Sequence, residues 1–149
     1  MNKIINLYVD MDGVLADFNA EPNAVERFRE EKGFFKNLKP LKKNAKALRR
    51  AIKSGLYNIY ILSASPNENA DNDKMAWLKK HRIYLAEGHI IFCRNHERKV
   101  DFMKTENGVL FDDYGKNIRE WVNEKRENAG FKITLDGTLE NGLAIIENL

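Results

Sequence analysis

The chain has a single cysteine in 149 residues, Cys93. A lone thiol makes no internal disulfide, and no Cys/His cluster suggests zinc. Following the apolar run HIIF (89–92), Cys93 reads as a buried strand thiol, and the natural compartment is a reducing cytoplasm. Long apolar runs are missing too: none approaches the roughly 18 residues needed to span a bilayer. The leading stretch MNKIINLYVD has too short an apolar run and no small-residue cleavage site, so it reads as a first strand and not a signal peptide. Internal repeats and low-complexity tracts are absent. A strong charge of one sign is absent as well. The net charge is +3, which suits anionic substrates but falls far short of a nucleic-acid-binding signature.

What is present is a globular composition, 43% hydrophobic and 32% charged, in a length that fits one domain, 1–149, with one core. An apolar run, a polar turn and an amphipathic helix recur along it. IINLYV (4–9), LYNIYIL (56–62), HIIFC (89–93), GVLFDD (108–113) and FKITL (131–135) read as strands. EPNAVERFREEKGFF (21–35) is partly helical, ending near Gly33. In KKNAKALRRAIKSG (42–55), Ala45, Leu48, Ala51 and Ile52 share a face and Gly55 is the C-cap; its many basic residues read as a solvated face. SASPNENADND (63–73) reads as a polar loop, with Asp73 capping the helix KMAWLKKHRI. A short helix is expected over 98–105, a longer one over 116–130 with Gly130 at its end, and a last one over 139–149. Alternating strands and helices with crossovers of this length predict an α/β fold, a parallel sheet with helices on both faces. Ligands of such sheets bind beyond the carboxyl ends of the strands.

The polar residues sit at those ends. Strand one ends at Asp10 and Asp12, strand two at Ser63, and strand four at Asp112 and Asp113; Lys99 follows strand three, with Arg98 as its rival. Each alone has a plain alternative: a turn former for Ser63, a surface lysine for Lys99, a helix cap for the second acid pair. Together they place several carboxylates, a hydroxyl and a lysine in one crevice. Carboxylates that close repel. A hard divalent cation with oxygen ligands resolves the repulsion, and Mg²⁺ is the usual occupant where phosphate is the co-ligand.

DMDGVLADF (10–18), the serine of YILSAS (60–65), the lysine of RKVDF (98–102) and LFDDYGKN (110–117) resemble the four ordered motifs of the haloacid dehalogenase (HAD) superfamily. The connecting segments GFFKNLKPL (33–41), DKMAWL (73–78) and KVDFMK (99–104) are similar to those of its 5'(3')-deoxyribonucleotidase group. The resemblance implies a Rossmann-like three-layer fold with a small cap inserted after strand one, at about 17–40. It implies a Mg²⁺-dependent phosphomonoesterase that releases phosphate from (deoxy)nucleoside monophosphates. Asp10 is then the nucleophile that takes the phosphoryl group, and Asp12 the acid and base. The metal falls to Asp10, Asp112 and Asp113, with Asp12 contributing its backbone carbonyl; Asp112 is favoured as the direct ligand. The phosphate falls to the backbone around Met11 and Gly13, to Ser63 with its neighbour Ala64, and to Lys99. Phe18, Phe34 and Phe35 either stack on a base or belong to the core. The expected partner is a small phosphorylated substrate, with neither membrane nor nucleic acid, for a monomer or homodimer. Other readings are a phosphatase for a sugar phosphate or a nucleic-acid end, and a phosphate-binding or receiver-type module without catalysis.

Overall fold

A computed structural model describes residues 4–148. Residues 1–3 of the leading stretch, and Leu149 of the last expected helix, lie outside the described residues. Five strands form one sheet: β1 (Ile5–Val9), β2 (Tyr57–Ser65), β3 (Ile90–Arg94), β4 (Val109–Asp112) and β5 (Ala129–Lys132). Their order is β3-β2-β1-β4-β5, and every pairing is parallel. The helices are α1 (Ala24–Arg27), α2 (Lys42–Ser54), α3 (Glu68–Lys80), α4 (Gly115–Glu124) and α5 (Thr138–Glu147). The fold is the α/β class, a parallel sheet with helices on both faces, that the alternation predicts, in the Rossmann-like form that the resemblance implies.

The strands are apolar at nearly every position because both faces of the sheet are covered. Side chains alternate between the faces. Leu7, Val9, Ile59, Ile61 and Phe111 pack with Leu48 of α2, Trp77 of α3 and Leu143 of α5. Tyr8, Tyr60, Leu62 and Leu110 pack on the other side with Val100 and with Trp121 of α4. There the Tyr8 ring stacks on Tyr60 at 4.8 Å and meets Trp121 at 4.9 Å. Burying each such side chain stabilises the fold by about 1.5–3 kcal/mol. Cys93 is buried, as its apolar surroundings suggest.

Several boundaries differ from expectation. β2 continues through Ser63 to Ser65, because Ser63, Ala64 and Ser65 pair with Phe92, Cys93 and Arg94. α3 starts at Glu68, not after Asp73. Its cap is Asn67, whose side chain accepts a hydrogen bond from the Ala70 N–H at 2.9 Å. Asp73 lies within the helix. α4 stops at Glu124, and Gly130 belongs to β5 rather than to a helix end. A β-carbon on Gly130 would lie 2.9 Å from Ile118, so glycine there lets β5 close against α4. Asn128 fixes the turn between them, accepting from the Gly108 N–H and donating to the Trp121 carbonyl. The stretch 21–35 holds the single turn α1 and, at Phe35, the start of a 3₁₀ turn, Phe35–Asn37. The residue before α1, Asn23, is left-handed and gives no side-chain cap, and Gly33 is left-handed as well.

Three features place the site. β1 is central, between β2 and β4. After it the chain tightens: the Met11 carbonyl accepts from the Leu15 and Ala16 N–H groups at 2.8 and 2.9 Å. Next, the insertion leaves and returns through a neck. Asp17 N–H donates to Lys39 O at 2.8 Å, Leu41 N–H donates to Leu15 O at 2.7 Å, and Ala16 bridges Pro40. Finally, Asn44 on α2 is fully buried and ties three segments together. Its Nδ2 donates to Val14 O at 2.8 Å, while its Oδ1 accepts from Gly137 N at 2.8 Å and Leu139 N at 3.1 Å.

Candidate active site

Asp10 follows the last residue of β1, and Asp112 is the last of β4, the neighbouring strand. Their side chains meet at the carboxyl rim. Lys99, in the short 3₁₀ turn Lys99–Phe102, bridges them from β3's side. Its Nζ lies 2.9 Å from Asp10 Oδ1 and 2.6 Å from Asp112 Oδ2. All three side chains are buried. Asp113 joins from above, and oxygens of Asp10, Asp112 and Asp113 lie within 4.8 Å of one another. Asp112 is held from two more directions: Oδ1 accepts from the Tyr114 N–H at 2.9 Å, and Oδ2 from Asn117 Nδ2 at 3.1 Å.

The charges in this cluster do not balance. Three carboxylates and one ammonium sum to −2. Burial, and next the Asp112 charge, push the Asp10 pKa well above the ordinary carboxylate range, against the pull of Lys99. Burial and Asp112 raise Asp113 as well. Burial opposes the charge on Lys99, but Asp10 and Asp112 outweigh it and raise its pKa. A buried set of hard oxygen donors, two positive charges short, fits a divalent cation of the Mg²⁺ type. Gly13 makes room for the arrangement. Its φ is +80°, and a β-carbon there would collide with the Asp113 carboxylate. The Gly13 N–H itself donates to Ala16 O at 2.8 Å. Met11 is buried beside it.

Asp12 stands apart from these three and has its own cation, which the sequence reading missed. Lys74 of α3 is fully buried, and its three N–H groups all find partners: Asp12 Oδ2 at 2.9 Å, Ser63 Oγ at 2.9 Å and Ala64 O at 2.7 Å. The Phe35 ring lies 4.4 Å from the ammonium. The other oxygen of Asp12, Oδ1, is buried with no hydrogen-bond partner among the described residues. A signal for Lys74 did exist. Once α3 starts at Glu68, the buried positions Ala70, Lys74, Trp77 and Leu78 fall at i, i+4, i+7 and i+8, with the lysine on the inward face. Asn117, five residues after Asp112, was likewise present in a quoted motif without a role.

Above the acids opens a cleft of about 590 Å³, walled by Phe18, Asn19, Phe28, Arg29, Phe35 and Tyr114. Asp10, Asp12, Lys99, Asp112, Asp113 and Ala64 reach it. Ser63 lies beneath, fully buried, its hydroxyl oxygen accepting from Lys74. Phe34 does not line the cleft; it is buried edge-on against Phe18 and Phe35 at 5.7 and 5.2 Å. Phe18 and Phe35 do both, facing the cleft and packing on the core.

A family model described as "5' nucleotidase, deoxy (Pyrimidine), cytosolic type C protein" matches residues 20–126. That span includes Ser63, Lys74, Lys99, Asp112 and Asp113; Asp10 and Asp12 precede it. No curated protein matches the chain. Among solved structures, a chain of the Pnkp1/Rnl/Hen1 complex superposes with a TM-score of 0.65 at 18% identity, over 89% of this chain and 47% of that one. The present chain therefore spans about half the length of that relative. The HAD domain of the effector protein Lem4 from Legionella pneumophila, an inactive mutant, superposes with a TM-score of 0.59 at 15% identity, over 99% of this chain and 94% of that one. At these identities the likeness is one of fold.

Proposed function

Because the chain belongs to the family of 5' nucleotidase, deoxy (Pyrimidine), cytosolic type C proteins, a HAD-like deoxynucleotidase family, we propose that its rim cluster hydrolyses a phosphate monoester, with a (deoxy)nucleoside monophosphate as substrate. The observation that carries this reading is the division of labour at the rim. Asp10 lies in the cluster that fits a cation, while Asp12, two residues on, is held by a separate lysine, its other oxygen having no hydrogen-bond partner among the described residues.

In the proposed reaction Asp10 attacks phosphorus in line, forming a carboxylate O–P bond as the ester P–O bond breaks. Asp12 delivers its proton to the departing alkoxide through Oδ1. In the second step Asp12 takes a proton from water as that water attacks phosphorus, which frees Asp10 and orthophosphate. Lys74 holds Oδ2 of Asp12 throughout, so Oδ1 keeps its place. Its donation to Ser63 Oγ leaves the Ser63 proton available for a phosphoryl oxygen. Lys99 offsets the charge of Asp10 and of the transferring group. Asp10, Asp112 and Asp113 would hold Mg²⁺, with the Asp12 carbonyl; bound there, the ion supplies positive charge against the phosphoryl oxygens. Ala64 would border the phosphate, with the backbone around Met11 and Gly13, and Phe18, half-buried at the cleft, would offer an aromatic face to a base, Phe35 being buried there.

We read 1–149 as one domain with the insertion as a small cap. The enzyme would work in the cytoplasm, as the family description and the single buried cysteine suggest. No helix among the described residues is long and apolar enough to cross a membrane. One observation favours a second substrate class. With only the four-residue α1 and the 3₁₀ turn Phe35–Asn37 in it among the described residues, the cap leaves the cleft open, which suits a phosphorylated nucleic-acid end or a sugar phosphate.

The test is phosphate release from a panel of nucleotides, phosphorylated oligonucleotides and sugar phosphates, with Mg²⁺ and with chelator. We expect turnover of deoxynucleotides that chelator abolishes and that Asp10→Asn and Asp12→Asn both remove. Turnover that survives Asp10→Asn rejects the covalent route. Turnover confined to the other substrates rejects the nucleotide assignment.

A further inference from the structure

The proposed chemistry makes no use of the basic stripe on α2. Lys42, Lys46 and Arg49 recur at i, i+4 and i+7, so they share one face of the helix. Opposite them the chain leaves α3 through Lys80, His81 and Arg82. The two sets enclose a cleft of about 300 Å³, with Pro40 and Ala45 also lining it. No acid lines it. None of its five cations forms an ion pair among the described residues. An ordinary solvated face mixes both signs of charge; this one does not.

The turn that carries Arg82 is strained. Arg82 N–H donates to Lys79 O at 3.1 Å and Ile83 N–H to Leu78 O at 2.9 Å, the two bonds of a Schellman helix end. The residue between them takes a left-handed conformation, φ +58°, where glycine is the relaxed choice. Here it is an arginine, turned into a cleft that is already basic. Arg49 is fixed as well, its Nη1 donating to His81 O at 3.2 Å. His81 itself contributes a buried Nε2 with no hydrogen-bond partner among the described residues. Its pKa is lowered, by burial first and then by Lys80 and Arg49, in keeping with a local field that favours anions.

We infer that this cleft binds an oligophosphate, a short chain of linked phosphates. Residues 42 to 49 span roughly 10 Å along the helix axis, and the facing turn adds a second wall of charge. One phosphate is too short to reach both walls and all five cations. Three linked phosphates match the length and carry enough negative charge. A nucleoside triphosphate and inorganic polyphosphate share that chemistry. A nucleic-acid strand fits less well, because the net charge of the chain is only +3 and the unpaired cations are gathered into a short cleft.

The site is separate from the rim cluster, so it is tested without turnover. ¹⁵N-labelled protein in chelator is titrated with tripolyphosphate, a nucleoside triphosphate, orthophosphate, sulfate and a short single-stranded oligonucleotide. Chelator leaves the rim acids without a cation, and they repel anions. Saturable amide shifts are expected at 42–49 and 79–83, with tripolyphosphate or the triphosphate well ahead of orthophosphate; the tighter of the two identifies the source. The doubly substituted K46Q/R82Q, altered at exposed positions, should bind at least about tenfold more weakly, as for the loss of two phosphate contacts. Arg82→Gly should raise the thermal midpoint by relieving the strain while weakening binding. Neither variant should alter phosphate release at the rim. The inference fails if shifts appear only around Asp10 and Asp112 or do not saturate at millimolar ligand. It fails equally if orthophosphate or sulfate matches tripolyphosphate, if the oligonucleotide binds tightest, or if K46Q/R82Q binds unchanged.

Discussion

Replacing Lys74 by Met keeps much of the side-chain volume and removes the ammonium. Three groups then lose their partner at once: Asp12 Oδ2, Ser63 Oγ and Ala64 O. Breaking a buried ion pair from one side costs about 3–5 kcal/mol, because the surviving charge is stranded. Asp12 retains 21% side-chain exposure, so water can partly rehydrate it, which places the expected loss near the low end, about 3 kcal/mol. Urea unfolding measures that loss directly. The kinetic consequence is more specific. Lys74 uses all three protons on protein groups, so it should act on catalysis through Asp12 and Ser63 and not on substrate. A misplaced general acid costs about 10²–10⁴ in rate where the leaving group needs a proton. An alkyl phosphate or a nucleoside monophosphate should therefore lose most of its kcat in Lys74→Met. An aryl phosphate with an acidic phenol, which departs without protonation, should lose far less. Equal losses for both substrates would refute the positioning role. A stability change below about 1 kcal/mol would refute the claim that the three acceptors depend on this lysine.

Two further outcomes can be checked alongside. Asn44→Ala leaves Val14 O and the Gly137 and Leu139 N–H groups without their partner in a buried place; at about 1–3 kcal/mol for each unsatisfied group, with some relaxation, urea unfolding should show a loss of about 3 kcal/mol, and a loss under 1 would contradict the clasp. For Asp10, burial and then the Asp112 charge raise the folded pKa well above the ordinary carboxylate range, so the folded state keeps a proton that the unfolded state releases. That contribution is fully present below the unfolded pKa and is lost as pH rises through the folded one. In chelator, the stability advantage of Asp10→Asn over wild type should therefore widen as pH climbs from 4 towards neutrality. Added Mg²⁺ should close the gap by stabilising wild type alone, and a gap constant with pH would reject the frustrated cluster.

The sequence made the rim legible because its residues break a pattern. Asp10 and Asp112 interrupt apolar runs at the point where a parallel strand ends, and topology then brings β1 and β4 side by side. Lys99 was found by order along the chain, after the third strand. Residues that act from inside regular elements were not visible in this way. Lys74 looks like one more charge on a helix rich in charge, since the polar run before it reads as a loop and the helix is expected to begin only after Asp73. Asn44 sat in a basic helix whose apolar face was counted without it, yet its amide joins Val14 to Gly137, 123 residues further on, a contact that no local pattern announces. At the end of the helix expected over 116–130 Gly130 carries its usual helix-end meaning, whereas tertiary packing uses it for close approach to Ile118.

The neck of the insertion has a consequence for how such a scaffold can change. Its two ends are pinned together at Ala16 and Pro40 whatever lies between, so the entropy of closing that loop is already met. Doubling the intervening length adds only about 0.6 kcal/mol. Phe34 and Phe35 must stay, since they pack against Phe18 and the lysine ammonium rests near one of them. Asn19, which donates to Asp113 Oδ2 at 3.5 Å, and Phe28, which packs on Phe18 and Phe35, must stay as well, whereas the exposed residues 29–32 carry no such duty to the acids below. A bulkier hood could be spliced there, by evolution or by design, and would retune which molecules enter while the reacting carboxylates keep their seats.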